Sequence, residues 1–201
     1  MHSAINQFRD NLRRAKELGA LAAAVAVLTT PAIDVSDLLR SQLVLAVSAL
    51  DQLIHEMVWL GMVDAAKGMR PKTEAYYRFQ LPVKAVESAL NGTACDIWIG
   101  DFVRERHSWQ SFQDPGKIAD AIRLISGVNL WEDVGEELGL SAQDIKIQLK
   151  LTVDRRNKIA HEADMDPTNP GFKWPISESL VKDAVDFIEK VAEAIFKATL
   201  I

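Results

Sequence analysis

The chain has 201 residues, which is long enough for one domain with a sizeable core. Apolar residues make up 48% of it and charged residues 25%, the balance of an ordinary soluble globular protein. Its net charge of −5 excludes a general electrostatic attraction to nucleic acid, so any contact with RNA requires a local basic cluster. The single cysteine, Cys95, excludes an intramolecular disulfide and a cysteine-built zinc site. A reducing, cytoplasmic setting is therefore expected.

Two apolar runs invite comparison with membrane spans. Residues 18–28 are too few to cross a bilayer, and the mixed charges before them make a poor start for a signal peptide. The longer run, 43–63, contains Asp51, His55 and Glu56, and charges in the middle of a span cost several kcal/mol. We therefore expect a soluble protein that makes no membrane contact.

Helical periodicity recurs along the whole chain, and no alternating β-type run competes with it. This pattern predicts one all-α domain spanning residues 1–201, without internal repeats. In chain order, the predicted helices cover approximately residues 4–28, 36–66, 73–80, 82–90, 94–109, 115–125, 131–138, 142–162 and 178–201.

Breakers and caps predict where these helices begin and end. Pro31 cannot continue the first helix, and Asp34 or Ser36 caps the second. Ser141 and Ser177 are predicted to cap the last two helices. The apolar stripe predicted for the final helix consists of Leu180, Ala184, Phe187, Ile188, Val191 and Ile195.

The most informative stretch is DRRNKIAH, near the end of the eighth predicted helix. On a helical wheel Arg156 projects from the centre of an apolar face, whereas Arg155 and Lys158 lie on the flank towards solvent. Asn157 and His161 are neighbours on the opposite flank. The apolar face consists of Ile145, Leu149, Val153, Ile159 and Ala160.

A charge on a core-facing stripe must be paired or must serve a function. One interpretation is therefore that Arg156 pairs with a buried carboxylate, while His161 merely ends the helix near the negative end of its dipole. The other interpretation is that both residues belong to a functional site.

Arg156, Asn157 and His161 also resemble the signature of the HEPN superfamily, in which an arginine and a following polar residue precede a histidine. Residues 40–56, RSQLVLAVSALDQLIHE, resemble the early helix of the RiboL-PSP type of HEPN domain. Residues 69–139 resemble no recognisable family. The resemblance implies a HEPN-like helical bundle with additional short helices, which forms a homodimer with its site at the twofold interface.

The resemblance further implies a metal-independent endoribonuclease that uses no cofactor, with Arg156, Asn157 and His161 as its catalytic residues. Such an enzyme would act on RNA as a toxin or anti-phage defence effector, with an antitoxin or another defence-system partner. One alternative is a catalytically inactive HEPN protein that binds RNA, a nucleotide or a partner such as a nucleotidyltransferase antitoxin. A helical structural module unrelated to RNA is a third hypothesis.

These residue types suit attack by the ribose 2′-hydroxyl, which yields a 2′,3′-cyclic phosphate and a 5′-hydroxyl. Histidine serves as a base near neutral pH, and the planar arginine fork binds the phosphate. Asn157 is expected to orient His161 or to bond the phosphate. Arg156 and His161 nevertheless lie about 140° apart on a regular helix. Either the helix frays at His161, or a symmetry-related chain completes the site.

Other residues are candidates for supporting roles. Asp51 and His55 lie on a polar arc of the second helix. This arc either faces solvent or lies beside the eighth helix. In the second case, Asp51 would neutralise Arg156 or orient a histidine. A metal site at this pair is disfavoured, because no third ligand has a recognisable spacing. Candidate RNA contacts are Arg155, Lys158, Arg104 and Arg106. Trp109 follows the last two, and Phe172 and Trp174 either stack a base or anchor their loop.

Overall fold

A computed structural model describes residues 1–30 and 33–200, apart from the side chains of Cys95 and Asp96. The described residues form nine α-helices and no β-strand, which confirms the all-α prediction. A single antiparallel bridge joins Met165 to Lys173. The helices are α1 His2–Leu28, α2 Ser36–Ala66, α3 Glu74–Tyr77, α4 Val83–Leu90, α5 Cys95–His107, α6 Pro115–Arg123, α7 Leu130–Leu138, α8 Ala142–Glu162 and α9 Glu178–Thr199.

Local side-chain hydrogen bonds mark several of the helix starts. The carboxylate of Asp34 accepts from the backbone N–H of Ser36 at 2.8 Å. The hydroxyls of Ser141 and Ser177 accept from backbone N–H groups at the starts of α8 and α9, as predicted. Pro31, predicted to terminate the first helix, lies outside the described residues, and α1 ends at Leu28.

The third helix is shorter than predicted, because α3 stops at Tyr77 instead of continuing to residue 80. The helix closes with a tighter bond, from the backbone N–H of Phe79 to the carbonyl of Tyr76 at 3.1 Å, and residues 79–82 are not helical. The prediction for α9 is wrong at Leu180, whose side chain is 48% exposed. Val181 takes the inward position in that turn and is fully buried.

Helix α2 is the centre of the bundle and packs against α1, α5, α6, α8 and α9. Of the described residues, only this helix is long and apolar enough by composition to cross a membrane. Half of its most apolar 18-residue window is buried inside the protein, as expected for the core helix of a bundle.

The site is positioned by the way α8 crosses the bundle. Helix α8 packs against α6, α7 and α2. The chain that follows its C-terminal end lies beside the first turns of α2, because Asp164 contacts Arg40. The DRRNKIAH stretch therefore lies at the end of the helix, where core packing gives way to a surface.

Candidate functional site

The end of α8 is an unusual turn. The helix continues through Glu162, and the next two residues, Ala163 and Asp164, have φ values of 52° and 57°. The backbone N–H of Asp164 donates to the carbonyl of Lys158 at 2.9 Å. A left-handed conformation costs an L-residue roughly 1 kcal/mol or more. This left-handed turn directs the Asp164 side chain back into the protein.

Asp164 is the centre of a buried ionic group, which we call the Asp164 cluster (Arg40, Arg155 and Asp164). Its Oδ2 accepts from Arg40 Nε at 2.7 Å and from Arg155 Nη2 at 2.8 Å. The carboxylate is fully buried, and the Arg40 side chain is 7% exposed. Both arginines also donate to the carbonyl of Trp174, at 2.9 and 3.2 Å. The cluster therefore fastens the α8–α9 loop to both α2 and α8.

Arg155, predicted on the solvent-facing flank of α8, is not a free surface arginine. Its side chain is only 21% exposed and is held by the Asp164 cluster. The helical wheel places Arg155 on the outer flank of α8 correctly, but the wheel does not show that the α8–α9 loop folds back over that flank. A contact between Arg155 and RNA remains a prediction.

Arg156 has no comparable partner. Its side chain is half-buried, and its Nη1 donates to Oδ1 of Asn157 at 3.0 Å. Its Nε, like that of Arg155, is buried without a hydrogen bond, but no carboxylate among the described residues forms an ion pair with Arg156. The buried carboxylate considered as its partner does exist as Asp164, but that carboxylate pairs with the neighbouring Arg155. Ala160, predicted on the same apolar face, is exposed.

His161 is exposed and lies within the regular part of α8, which extends to Glu162. The helix therefore does not fray at His161, and that explanation for a site within one chain is excluded. Arg156 and His161 lie on faces about 140° apart. Within one chain, these two side chains therefore point to different sides of α8.

An open depression of about 450 Å³ lies over the outer face of α8. Asn157, Lys158 and Arg155 contribute to its lining, together with Leu151, Asp154 and Glu162. The ammonium group of Lys158 lies 5.2 Å from the ring centre of Trp174. Trp174 is half-buried against this lysine and holds its loop in place, whereas Phe172 is 64% exposed.

Asp51 and His55 do not lie beside Arg156. Asp51 accepts from the backbone N–H of Phe112 at 2.6 Å and from the side-chain amide of Gln113 at 3.1 Å. The ring of His55 lies 4.5 Å from that of Phe112. The prediction that Asp51 neutralises Arg156 is therefore wrong within one chain, because both of its oxygens hold the α5–α6 loop. The alternative, that Asp51 orients a histidine, applies within the chain to His55, whose Nε2 lies 3.7 Å from Asp51 Oδ1.

The two arginines of α5 differ from each other. Arg104 Nη2 lies 3.3 Å from the carboxylate of Glu56, and its guanidinium stacks 4.0 Å above the ring of Trp59. Arg106 is exposed and pairs with no carboxylate among the described residues. Both lie on a different helix from Arg156, and their contact with RNA remains a prediction.

Sequence reasoning missed Asp164 and the role of Arg40. A local signal was Arg40, a charged residue near the start of a largely apolar helix. Among the described residues, no three histidine, cysteine, aspartate or glutamate side chains are grouped so that they could hold a metal ion. The expectation of a metal-free reaction remains a prediction.

Comparison with known proteins agrees with the family resemblance seen in the sequence. A family model described as RiboL-PSP-HEPN matches residues 9–200. The match includes residues 69–139, which resembled no family by their sequence pattern. No curated protein and no solved structure matches the chain.

Proposed function

The chain belongs to the RiboL-PSP-HEPN family, and from this premise we propose that it is an endoribonuclease that cleaves RNA without a metal ion. Its catalytic residues are Arg156, Asn157 and His161. Two copies of the chain form each complete site.

The observation that carries this proposal is the unneutralised charge of Arg156. The Arg156 guanidinium is half-buried and has no carboxylate partner, so its charge is partly desolvated without compensation. A bound anion would offset this cost. A phosphate suits it, because the planar fork donates paired hydrogen bonds to two phosphate oxygens. Arg155, one residue away, is already neutralised by Asp164. Arg155 therefore has a structural role, and Arg156 is the arginine available to bind a ligand.

Helix geometry is the reason for placing the site between two chains. Arg156 and His161 point to different sides of a helix that stays regular through Glu162. A twofold axis near the end of α8 brings each Arg156 towards the other chain's His161 with a single self-complementary contact. The exposed face of α8 also carries apolar side chains, Ile147 at 48% and Leu151 at 64% exposure. These side chains suit burial against a second copy.

The chemistry then follows from the side chains. His161 accepts the proton of the ribose 2′-hydroxyl, and O2′ forms a bond to phosphorus as the bond from phosphorus to O5′ breaks. Water supplies the proton to O5′, so the products are a 2′,3′-cyclic phosphate and a 5′-hydroxyl. Arg156 stabilises the charge that accumulates on the phosphate oxygens. Since Asn157 Oδ1 already accepts from Arg156, its amide N–H groups are free to bond the same phosphate.

The need for a 2′-hydroxyl restricts this reaction to RNA. The activity of an enzyme that requires neither a metal nor a cofactor is not limited by the supply of either, so a cell must inhibit it by other means. We propose a toxin or anti-phage effector role, with a neutralising partner such as a nucleotidyltransferase antitoxin. A partner that covers the end of α8 or separates the two copies would prevent assembly of the site.

The test is incubation of the purified protein with total RNA in excess chelator. Wild type is expected to cut RNA and leave cyclic-phosphate ends, whereas Arg156→Ala and His161→Ala lower the rate at least about a hundredfold. Arg14→Ala is the control, since Arg14 is exposed and lies on α1. Intact RNA in every lane, from folded and dimeric wild type, would contradict the proposal and leave the non-catalytic binding function in its place.

A further inference from the structure

The loop between α5 and α6 carries a second cavity, which we call the loop cavity. It has a volume of about 440 Å³ and is lined by His107, Trp109, Gln110, Ser111, Phe112 and Lys117, among others. None of these residues belongs to the Arg156 site. An open cavity of this size with a mixed apolar and polar lining has the properties of a small-ligand site.

The floor of the loop cavity is aromatic and uncharged. Phe112 and His107 are 3% and 5% exposed, and their rings meet edge to face at 5.2 Å. Burial, with the nearby charges of His55 and Arg106, lowers the pKa of His107 to about 4. The imidazole is therefore neutral at pH 7, and the floor suits a flat, uncharged ring rather than an anion.

The rim of the loop cavity supplies what a flat ring needs. Trp109 is 74% exposed, so its indole face is available for stacking. The side chains of Gln110 and Ser111 form no hydrogen bonds within the described part of the chain. An amide and a hydroxyl beside an open aromatic face provide donors and acceptors for the edge of a heterocycle.

A phosphate would also find a partner at this rim. Lys117 is exposed and forms no ion pair with any described carboxylate. The acidic residue of the cavity, Asp120, is already paired with Arg123. The charge left unmatched beside the aromatic face is therefore positive.

We propose that the loop cavity binds one unpaired base of single-stranded RNA, stacked on Trp109, with the adjoining phosphate at Lys117. The choice of RNA over other ligands rests on the proposed ribonuclease function. In that function the cavity is a substrate subsite remote from the cleaved bond, and it favours unpaired RNA because a paired base cannot enter it.

The loop cavity and the chain that follows α8 both lie beside α2. Asp51 holds the α5–α6 loop, and Arg40 holds the chain that follows α8. These two residues lie on the same stripe of α2, three turns and about 16 Å apart along its axis. Between them, Val47 lies on this stripe and is buried, whereas Val44 and Ser48 on its flank are partly exposed.

The test measures the affinity of a short fluorescein-labelled oligouridylate by anisotropy, in a His161→Ala background so that the RNA stays intact. Trp109→Ala is expected to weaken binding about tenfold, and Trp109→Phe to retain most of it. Lys117→Ala lowers the salt dependence of binding by about one counterion. Tyr77→Ala, which removes another exposed aromatic (68%), and Lys190→Ala, which removes another exposed lysine, are the controls.

Equal affinities for Trp109→Ala and Tyr77→Ala would overturn the proposal. So would binding of UMP or AMP as tight as that of the oligonucleotide, since the site would then hold a free nucleotide. Crosslinking of 4-thiouridine RNA to the peptide that contains Trp109 would support it without relying on a variant. If the protein binds RNA through Trp109 but cuts no RNA, the proposal for the loop cavity stands and the proposed ribonuclease function fails. The two failures are therefore distinguishable.

Discussion

Arg155 and Arg156 are consecutive residues of α8, and their guanidinium groups meet opposite surroundings. Arg155 donates to the buried carboxylate of Asp164 and to the loop that covers it. Arg156 donates to Asn157 and pairs with no carboxylate among the described residues. The end of α8 therefore has a neutralised side, the Asp164 cluster, and an unneutralised side, which carries Arg156 and Asn157.

The difference shows how one helix end combines stability with a binding site. Successive side chains point about 100° apart, so two adjacent arginines face different neighbours. The paired arginine holds the loop and the helix end in place. The unpaired one keeps its hydrogen-bonding capacity for a ligand, at the cost of leaving a half-buried charge unmatched.

The largest expected effect on stability comes from removing the buried carboxylate. Asp164→Asn leaves Arg40 and Arg155 without their anion, and we expect the free energy of unfolding to fall by about 3 to 5 kcal/mol. Urea denaturation followed by circular dichroism measures it. Arg156→Ala, which breaks no ion pair, is the matched control, with a loss of about 1 kcal/mol or less. Similar losses of stability in both variants would contradict the distinction between the neutralised and the unneutralised side of the α8 end.

A smaller effect contrasts buried His107 with exposed His161. Burial, aided by the charges of His55 and Arg106, lowers the pKa of His107 from 6.5 to about 4. Between these two pH values the unfolded chain binds a proton that the folded chain does not. The stability that depends on neutral His107 is therefore complete above about pH 6.5 and is lost as the pH falls towards 4.

Stability curves between pH 4 and 7 check this dependence. His107→Phe is expected to flatten the curve relative to wild type, whose slope from this group is at most about 1.4 kcal/mol per pH unit. His161→Ala removes an exposed imidazole and is expected to keep the wild-type slope. A wild-type slope in His107→Phe would mean that other groups cause the dependence.

The helices and the candidate motif could be predicted from sequence because their signals are local. Ser141 and Ser177 precede apolar repeats, and the capping hydrogen bonds form within three residues. The Arg156, Asn157 and His161 pattern likewise occupies less than two turns of one helix. Such signals do not depend on the rest of the fold.

The long-range contacts could not be predicted in the same way. Asp164 meets Arg40 across 124 positions, through a turn whose left-handed residues are alanine and aspartate rather than the usual glycine. Asp51 accepts from a backbone N–H 61 positions away, which no side-chain pattern reveals. A helical wheel shows the direction of a side chain, but not which loop covers it.

The sharing of the site between two copies is tested most directly by a mixed dimer. Arg156→Ala and His161→Ala chains, each inactive alone, are co-expressed with different tags, and RNA cleavage is measured in chelator. About half of randomly assembled dimers are mixed, and each holds one complete site out of two. Cleavage should therefore return to roughly a quarter of the wild-type rate. Purified mixed dimers that leave RNA intact, under conditions in which wild type cuts it, would contradict a site built from Arg156 of one chain and His161 of the other.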